Sequence, residues 1–399
     1  MLSLLFLAGF LVLPGGREQD GLAGKADPPA QVPASSGVLD TVLEFQAADG
    51  TPLEAKLSVP AGRPGPFPVV FYLHGASVRS YDNPFPYRDE GGKVQWGNYL
   101  DFPARELARR GIAFFRMSKR GCHAVADPPS TSLDPKVFAQ ATPSVLLGDY
   151  AKGLEFLRGR SEIDPARIVL MGQSEGTRLA ARLALKSPAG VIGVLMLGYE
   201  CDNIRDTVVW QNRVGPWRNV QHLIPAARDG ELTLEEWDAA VQAKPGIAQA
   251  LPFDLLDGDQ DGVLTAEDME KVLRPRLDAI LKAVEEGDDD FLTKNVVNLN
   301  SAYLREEWDG VPTREFLLKL AIPLAIFHGT LDGSCRVEGV QETDAAFRQA
   351  EKSNLAVHLY PRAGHDLDWT RESAAQGGPP AFRDAFAFIA ELVRPKSPR

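Results

Sequence analysis

The chain has 399 residues, a formal net charge of −11, 44% apolar residues and 24% charged residues. That length suits one large domain or two with a full core, and the acidic balance argues against nucleic acid as the main partner. No internal run approaches the roughly 20 apolar residues that a membrane-spanning helix needs.

Leu2–Leu13 is an almost unbroken apolar run closed by Pro14-Gly15-Gly16. It reads as the h-region of a secretory signal peptide, although no basic residue precedes it. Gly24-Lys25-Ala26 is the candidate cleavage site, giving a leader over 1–26 and a linker over 27–37, the end of a Pro-, Gly-, Ala- and Ser-rich stretch. A mis-assigned start and a short membrane anchor are the other readings. With the leader removed, the protein is exported, periplasmic or extracellular, and keeps no membrane span.

Leu39–Gln46 alternates apolar and polar residues, Ala48-Asp49-Gly50 turns, and Leu53–Val59 alternates again, a hairpin pattern. Phe67–Leu73 is a buried-type strand leading into His74-Gly75-Ala76-Ser77. Residues 78–99 read as a long loop rich in aromatic and turn residues. Asp101–Arg110 predicts a helix capped by Asp101, with Pro103 in its first turn and Gly111 at its end. Ile112–Met117 is the next strand, and a loop with several prolines leads to a helix over Pro143–Arg158. Ile168–Met171 is a short apolar strand, followed by Gly172-Gln173-Ser174-Glu175-Gly176 and a helix through Leu185. Val191–Leu197 is a strand ending at Tyr199-Glu200-Cys201. The alternation then stops. Residues 202–320 read as mostly helical and charged, with Trp210, Trp217, Trp237 and Trp308. It resumes with a strand over Pro323–Phe327, a helix over Thr343–Lys352, a strand over Leu355–Tyr360 and a closing helix over Pro380–Val393.

Repeated strand–helix units predict an α/β protein with a mostly parallel sheet and helices on both faces. Residues 38–201 and 321–394 form that core. The 202–320 segment is then a helical cap, inserted at the C-terminal edge of the strands, where open α/β sheets bind ligands.

The Gly172–Gly176 turn places Ser174 on a sharp strand-to-helix elbow with its hydroxyl exposed. A nucleophilic serine needs a base, an orienting carboxylate and donors for an oxyanion. Asp332 follows the strand 323–327 and His365 follows the strand 355–360, and the chain order Ser, Asp, His is one in which such triads occur. The Glu175 carboxylate is accounted for by the helix dipole. His328 is expected to pack at its strand end, His222 and His358 to be core or surface residues, and His123 to stand near the pocket.

Taken together, His74-Gly75, Arg120-Gly121, Gly172-Gln173-Ser174-Glu175-Gly176, His328-Gly329-Thr330-Leu331-Asp332 and Gly364-His365-Asp366 resemble the α/β-hydrolase superfamily. The resemblance covers about 39–200 and 321–393. It is most similar to the serine esterase, dienelactone hydrolase-like and serine aminopeptidase-like branches. It implies the α/β-hydrolase fold, with Ser174 as nucleophile, His365 as base and Asp332 as acid. It also implies an oxyanion hole from the backbone N–H groups of Glu175 and Ala76. Ala76-Ser77 departs from the His-Gly-Gly-Gly pattern of lipases, and a dienelactone hydrolase proper would carry cysteine as nucleophile. The family's strand order makes the strands before Cys201 and Cys335 neighbours, which implies a Cys201–Cys335 disulfide; separate buried thiols are the alternative, and Cys122 is left over.

Within the insertion, Asp257-Gly258-Asp259-Gln260-Asp261-Gly262-Val263-Leu264-Thr265-Ala266-Glu267-Asp268 resembles an EF-hand loop. The expected calcium ligands are Asp257, Asp259, Asp261, the Val263 carbonyl, Thr265 and Asp268. The last stands where such loops carry a longer glutamate. Pro225–Glu236 fits the second half of a degenerate partner loop, with Asp229, Gly230, Leu232, Thr233 and Glu236 in register and Pro225 and Ala227 in place of ligands.

The resulting expectation is an exported serine hydrolase that cleaves a carboxylic ester through an acyl-enzyme, acting on a small-molecule or peptide acyl substrate. Calcium is its structural ion, and it uses no organic cofactor. A peptidase or acyl-transfer enzyme on the same triad, and a non-catalytic calcium-dependent binding protein, are the competing readings.

Overall fold

The structure, a computed structural model, describes residues 37–88, 93–244, 247, 252–296 and 301–395. The leader and nearly all of the linker fall outside the described residues. No helix among those described is long and apolar enough to cross a membrane.

The strands in chain order are β1 Val38–Gln46, β2 Pro52–Pro60, β3 Phe67–Leu73, β4 Pro84–Arg88, β5 Val94–Asn98, β6 Ala113–Met117, β7 Cys122–Ala126, β8 Pro129–Leu133, β9 Ile163–Gln173, β10 Val191–Leu197, β11 Glu231–Thr233, β12 Val263–Thr265, β13 Leu324–Gly329 and β14 Leu355–Tyr360. Eight of them build the central sheet in the order β1-β2-β6-β3-β9-β10-β13-β14. The β1–β2 hairpin and the β2–β6 pair are antiparallel, and every pair from β6 to β14 is parallel. The core strands are apolar along their whole length because helices cover both faces. All seven residues of β3 are buried.

On one face the helices Pro143–Arg158 and Glu175–Lys186 bury Leu154, Leu157, Leu179 and Leu183 against Phe71, Phe115 and Leu170. On the other, Asp101–Arg109 and Pro380–Leu392 bury Phe102, Leu107, Phe382 and Phe386 against Val70, Phe114 and Val169. Each such side chain contributes about 1.5–3 kcal/mol of transfer free energy. The chain runs from β3 outward to β6 and then returns past β3 to β9. The strand order therefore reverses between β3 and β9, and a ligand crevice is expected at their C-terminal ends.

Several boundaries differ from the sequence expectations for physical reasons. The first helix begins at Asp101, but Leu100 is its N-cap and makes no side-chain cap; Asp101 sits in the first turn, where its charge meets the helix dipole. The helix expected over 343–352 spans Val337–Gln349. Gly339, a weak helix former, is tolerated inside it because the Cys201 thiol occupies the space where a Cβ would stand. The two long loops carry antiparallel hairpins, β4–β5 and β7–β8. The Cys201–Cys335 bridge is absent: Cys122, Cys201 and Cys335 are free and buried, and the Cys201 thiol donates to Asp202 Oδ2 at 3.3 Å.

The insertion is helical, as expected. Its first part folds around its own small core of Trp217, Val220, Ile224, Leu232, Leu264 and Leu273. Its second part does not stand apart as a lid. Leu277, Ile280, Tyr303, Leu304 and Leu317 join the main core on the side of the helix Glu175–Lys186.

Candidate active site

β9 ends at Gln173, and the chain must enter the helix Glu175–Lys186 within one residue. Ser174 makes that turn at φ 54°, ψ −124°. Such a backbone costs a non-glycine residue of order 1–3 kcal/mol and persists only where its surroundings fix it. A Cβ on Gly172 would overlap the Gly176 carbonyl, and one on Gly176 would overlap the Leu73 carbonyl at the end of β3. These backbones touch, and only glycine allows it. The Ser174 N–H donates to Leu197 O at 3.0 Å, and Thr177 Oγ1 donates to Ser174 O at 2.7 Å.

The exit of β3 lies against this elbow. A Cβ on Gly75 would stand 3.1 Å from Ser174 Cβ and 3.2 Å from Gln173 O. Ala76 is thus one residue from contact with the serine. Arg79 Nε donates to Ala76 O at 3.2 Å, and Ser77 turns the loop at φ 92°. Glu175 opens its helix, so its N–H is one of the first-turn amides that no carbonyl within the helix accepts.

Asp332, 2% exposed, follows β13. Its Oδ1 accepts the N–H groups of Ser334 at 2.7 Å and Cys335 at 2.8 Å, which fixes the carboxylate. Its Oδ2 lies 2.8 Å from His365 Nδ1. The His365 ring lies over Gly198, where a Cβ would come within 3.0 Å of Cε1. Gly198 directly follows Leu197, the acceptor of the Ser174 amide, so the ends of β9, β10, β13 and β14 converge. Burial opposes the charge on His365, but the Asp332 carboxylate outweighs it, with help from Asp366 and Glu200, and holds the imidazole pKa above its ordinary value. Burial likewise opposes the Asp332 charge, and His365 with the hydrogen bonds outweighs it, so this pKa stands below the usual carboxylate range. The Nδ1–H of His365 faces Asp332, which leaves Nε2 as the proton acceptor.

His328 packs at its strand end, as expected, and also supports the acid. The Tyr199 N–H donates to its Nδ1 at 3.1 Å, so the ring proton is on Nε2, which donates to Cys335 O at 3.1 Å and lies 3.6 Å from Asp332 Oδ2. Burial pushes its pKa down and keeps it neutral. His358 stacks on Phe327 at 4.6 Å, and His123 is held 2.7 Å from Glu54.

Sequence reasoning missed the buried charges behind the nucleophile. The Glu175 carboxylate is more than a partner for the helix dipole: Lys119 Nζ donates to it at 2.9 Å, both groups about 2% exposed. Arg178, also buried, donates to Glu307 Oε2 at 2.9 Å and to the Asp202 carbonyl, and stands 3.5 Å from Glu200 Oε1. Glu307 comes from the insertion and also pairs with Arg182. Burial raises the Glu200 pKa. The usable signal was Lys119 just beyond the end of a buried strand and Arg178 on the inward stripe of the helix.

In the insertion, β11 and β12 pair antiparallel with Leu232 opposite Leu264, joining the degenerate loop to the acidic one. Oxygens of Asp257, Asp259 and Asp261 lie within 4.8 Å of one another. Asp257 Oδ2 accepts the Gly262 N–H at 3.0 Å. Among the described residues nothing hydrogen-bonds Asp257 Oδ1, although it is buried. Asp268 is placed differently. Its Oδ2 accepts from Thr265 N and Oγ1 at 3.1 and 2.6 Å, closing the start of the helix Ala266–Glu286.

No family model and no curated protein matches the sequence. Solved structures do. The α/β hydrolase GrgF from Penicillium sp. sh18 is 14% identical, with a TM-score of 0.50 over 89% of this chain and 99% of that one. A lipase in its open form is 18% identical, with a TM-score of 0.49 over 90% of this chain and all of that one. A dipeptidyl aminopeptidase IV-type chain from Bacteroides ovatus ATCC 8483 is 15% identical, with a TM-score of 0.47; the present chain spans 36% of its length. At such identities the likeness is one of fold. The chain has the α/β-hydrolase fold.

Proposed function

We propose that the protein is a serine hydrolase that cleaves a carboxylic ester through an acyl-enzyme. The observation that carries this reading is the 2.8 Å contact of Asp332 Oδ2 with His365 Nδ1, formed where four strand ends meet beside the strained elbow of Ser174. In this mechanism Ser174 Oγ attacks the acyl carbon while His365 Nε2 takes its proton. Asp332 holds the imidazole in the tautomer that leaves Nε2 free and stabilises the imidazolium that forms. The N–H groups of Glu175 and Ala76 receive the developing oxyanion, each worth about 3–4 kcal/mol of barrier. His365 then gives its proton to the leaving alcohol, and water repeats the sequence to release the acid.

The buried Lys119–Glu175 pair supports the reading, because it anchors the residue whose N–H would face the oxyanion. Hydrolysis of p-nitrophenyl acyl esters, compared with aminoacyl anilides, tests the reaction class. Turnover of the esters that Ser174→Ala abolishes is the expected result. Turnover confined to the anilides would make the protein a peptidase on the same residues, and no turnover of either substrate would count against both. We further propose that this activity is exported, a reading that rests on the apolar Leu2–Leu13 run.

A further inference from the structure

The helix Gly215–Leu223 in the insertion has two working faces. Gly215, Asn219 and His222, spaced i, i+4, i+7, bear on the two loops that carry Asp332 and His365. A Cβ on Gly215 would overlap the Gly333 carbonyl, and one on Gly333 would meet Asn219 Cγ at 2.5 Å. His222 Nδ1 donates to Arg362 O at 3.0 Å, and a Cβ on Gly364 would stand 2.8 Å from the His222 ring. Gly333 and Gly364 directly adjoin Asp332 and His365. The opposite face presents Trp217 and Val220, with Ile224 just beyond, to the small core that also holds Leu232 and Leu264. Those two leucines are fully buried and face each other across the β11–β12 pair. Leu264 of the acidic loop thus shares a core with one face of this helix, while the triad loops bear on the other.

The acidic loop itself holds an unsatisfied buried oxygen. Asp257 is 7% exposed, yet among the described residues its Oδ1 has no hydrogen-bond partner. Oxygens of Asp259 and Asp261 stand within 4.8 Å of the Asp257 carboxylate. Like charges this close, one of them buried, are destabilising without a counter-ion. An all-oxygen donor set in a short loop turned by a glycine, Gly262 at φ 84°, fits calcium better than a transition metal.

We propose that the loop Asp257–Asp268 binds calcium and that the bound ion holds the helix Gly215–Leu223 against the backbone beside Asp332 and His365. The catalytic meaning of those two residues rests on the hydrolase reading; the ion site and the clamp do not. A cation that binds only the ordered loop raises the population of the ordered pair by a factor of one plus the ratio of its concentration to its dissociation constant. With an aspartate at the twelfth position, a dissociation constant of about 0.1–1 mM is expected.

The test uses the full chain stripped with a chelator. Calcium is titrated by calorimetry, and backbone hydrogen exchange is compared with and without a tenfold excess of calcium over the measured constant. One site per chain is expected, with exchange slowed about tenfold in 215–223, 330–336 and 362–366 as well as in 257–268. Asp259→Ala and Asp261→Ala, at exposed positions, are expected to abolish both effects while the fold melts near the apo wild type. Absence of binding at about 10 mM calcium overturns the site, and binding with protection confined to 257–268 overturns the clamp. Labelling of Ser174 by a fluorophosphonate in the same samples separates the two readings. No label with calcium-dependent protection intact sinks the hydrolase and leaves the clamp standing; labelling without calcium binding does the reverse.

Discussion

Asp332→Asn isolates one contact. The substitution keeps the volume, and its carbonyl oxygen can still accept the Ser334 and Cys335 N–H groups that orient the side chain. The atom replaced is Oδ2, 2.8 Å from His365 Nδ1. An amide there presents N–H to N–H, so the imidazole moves its proton to Nε2 and can no longer take one from Ser174. In triads of this kind the wrong tautomer costs about ten-thousand-fold in kcat, or about 5 kcal/mol of barrier. The pH profile adds a second readout. Catalysis needs neutral His365, so in the wild type kcat/KM rises as pH rises through an imidazole pKa above its ordinary value. In the variant the largest raising interaction is gone and only the weaker ones of Asp366 and Glu200 still oppose burial, so that pKa falls and the acid limb moves to lower pH. The assay is ester hydrolysis between about pH 5 and 9, with thermal melting as a fold control. A folded variant within tenfold of wild-type kcat/KM and with an unmoved acid limb would refute the reasoning.

Gly172→Ala forces a Cβ into the Gly176 carbonyl, so loss of Ser174 labelling and destabilisation of about 1–3 kcal/mol by urea unfolding are expected. Lys119→Met leaves the buried Glu175 carboxylate unpaired and should cost about 3–5 kcal/mol, most of it regained in the Lys119→Met/Glu175→Gln double variant. Leu264→Ala removes a fully buried side chain from the small core of the insertion, so a loss of about 2–5 kcal/mol and weaker calcium binding by calorimetry are expected.

The core strands were legible because both faces of the sheet are covered, which makes Phe67–Leu73 and Val191–Leu197 stand out as apolar runs; the structure gives them those bounds, and gives the half-buried edge strand Leu355–Tyr360 its expected bounds too. Asp332 and His365 were legible as candidates because each lies a few residues past a strand end, in the chain order Ser, Asp, His. What sequence could not give was long-range. Nothing near Glu175 announces Lys119, 56 residues away, and nothing near Gly339 announces the Cys201 thiol that lets a glycine stay in that helix. The cysteines were misjudged because neighbouring strands do not bring two thiols together by themselves, and Cys201 turns to Asp202 instead. The acidic loop was legible from its spacing. The role of the helix Gly215–Leu223 was not, because its two faces answer to partners on opposite sides.

The most direct measurement is covalent labelling of the purified full chain with a fluorophosphonate, mapped by mass spectrometry. One adduct per chain is expected, on Ser174, absent in Ser174→Ala and formed far more slowly in His365→Gln. A folded protein that takes no adduct, or takes it on another residue while Ser174 stays free, would contradict the claim that this elbow serine is an activated nucleophile.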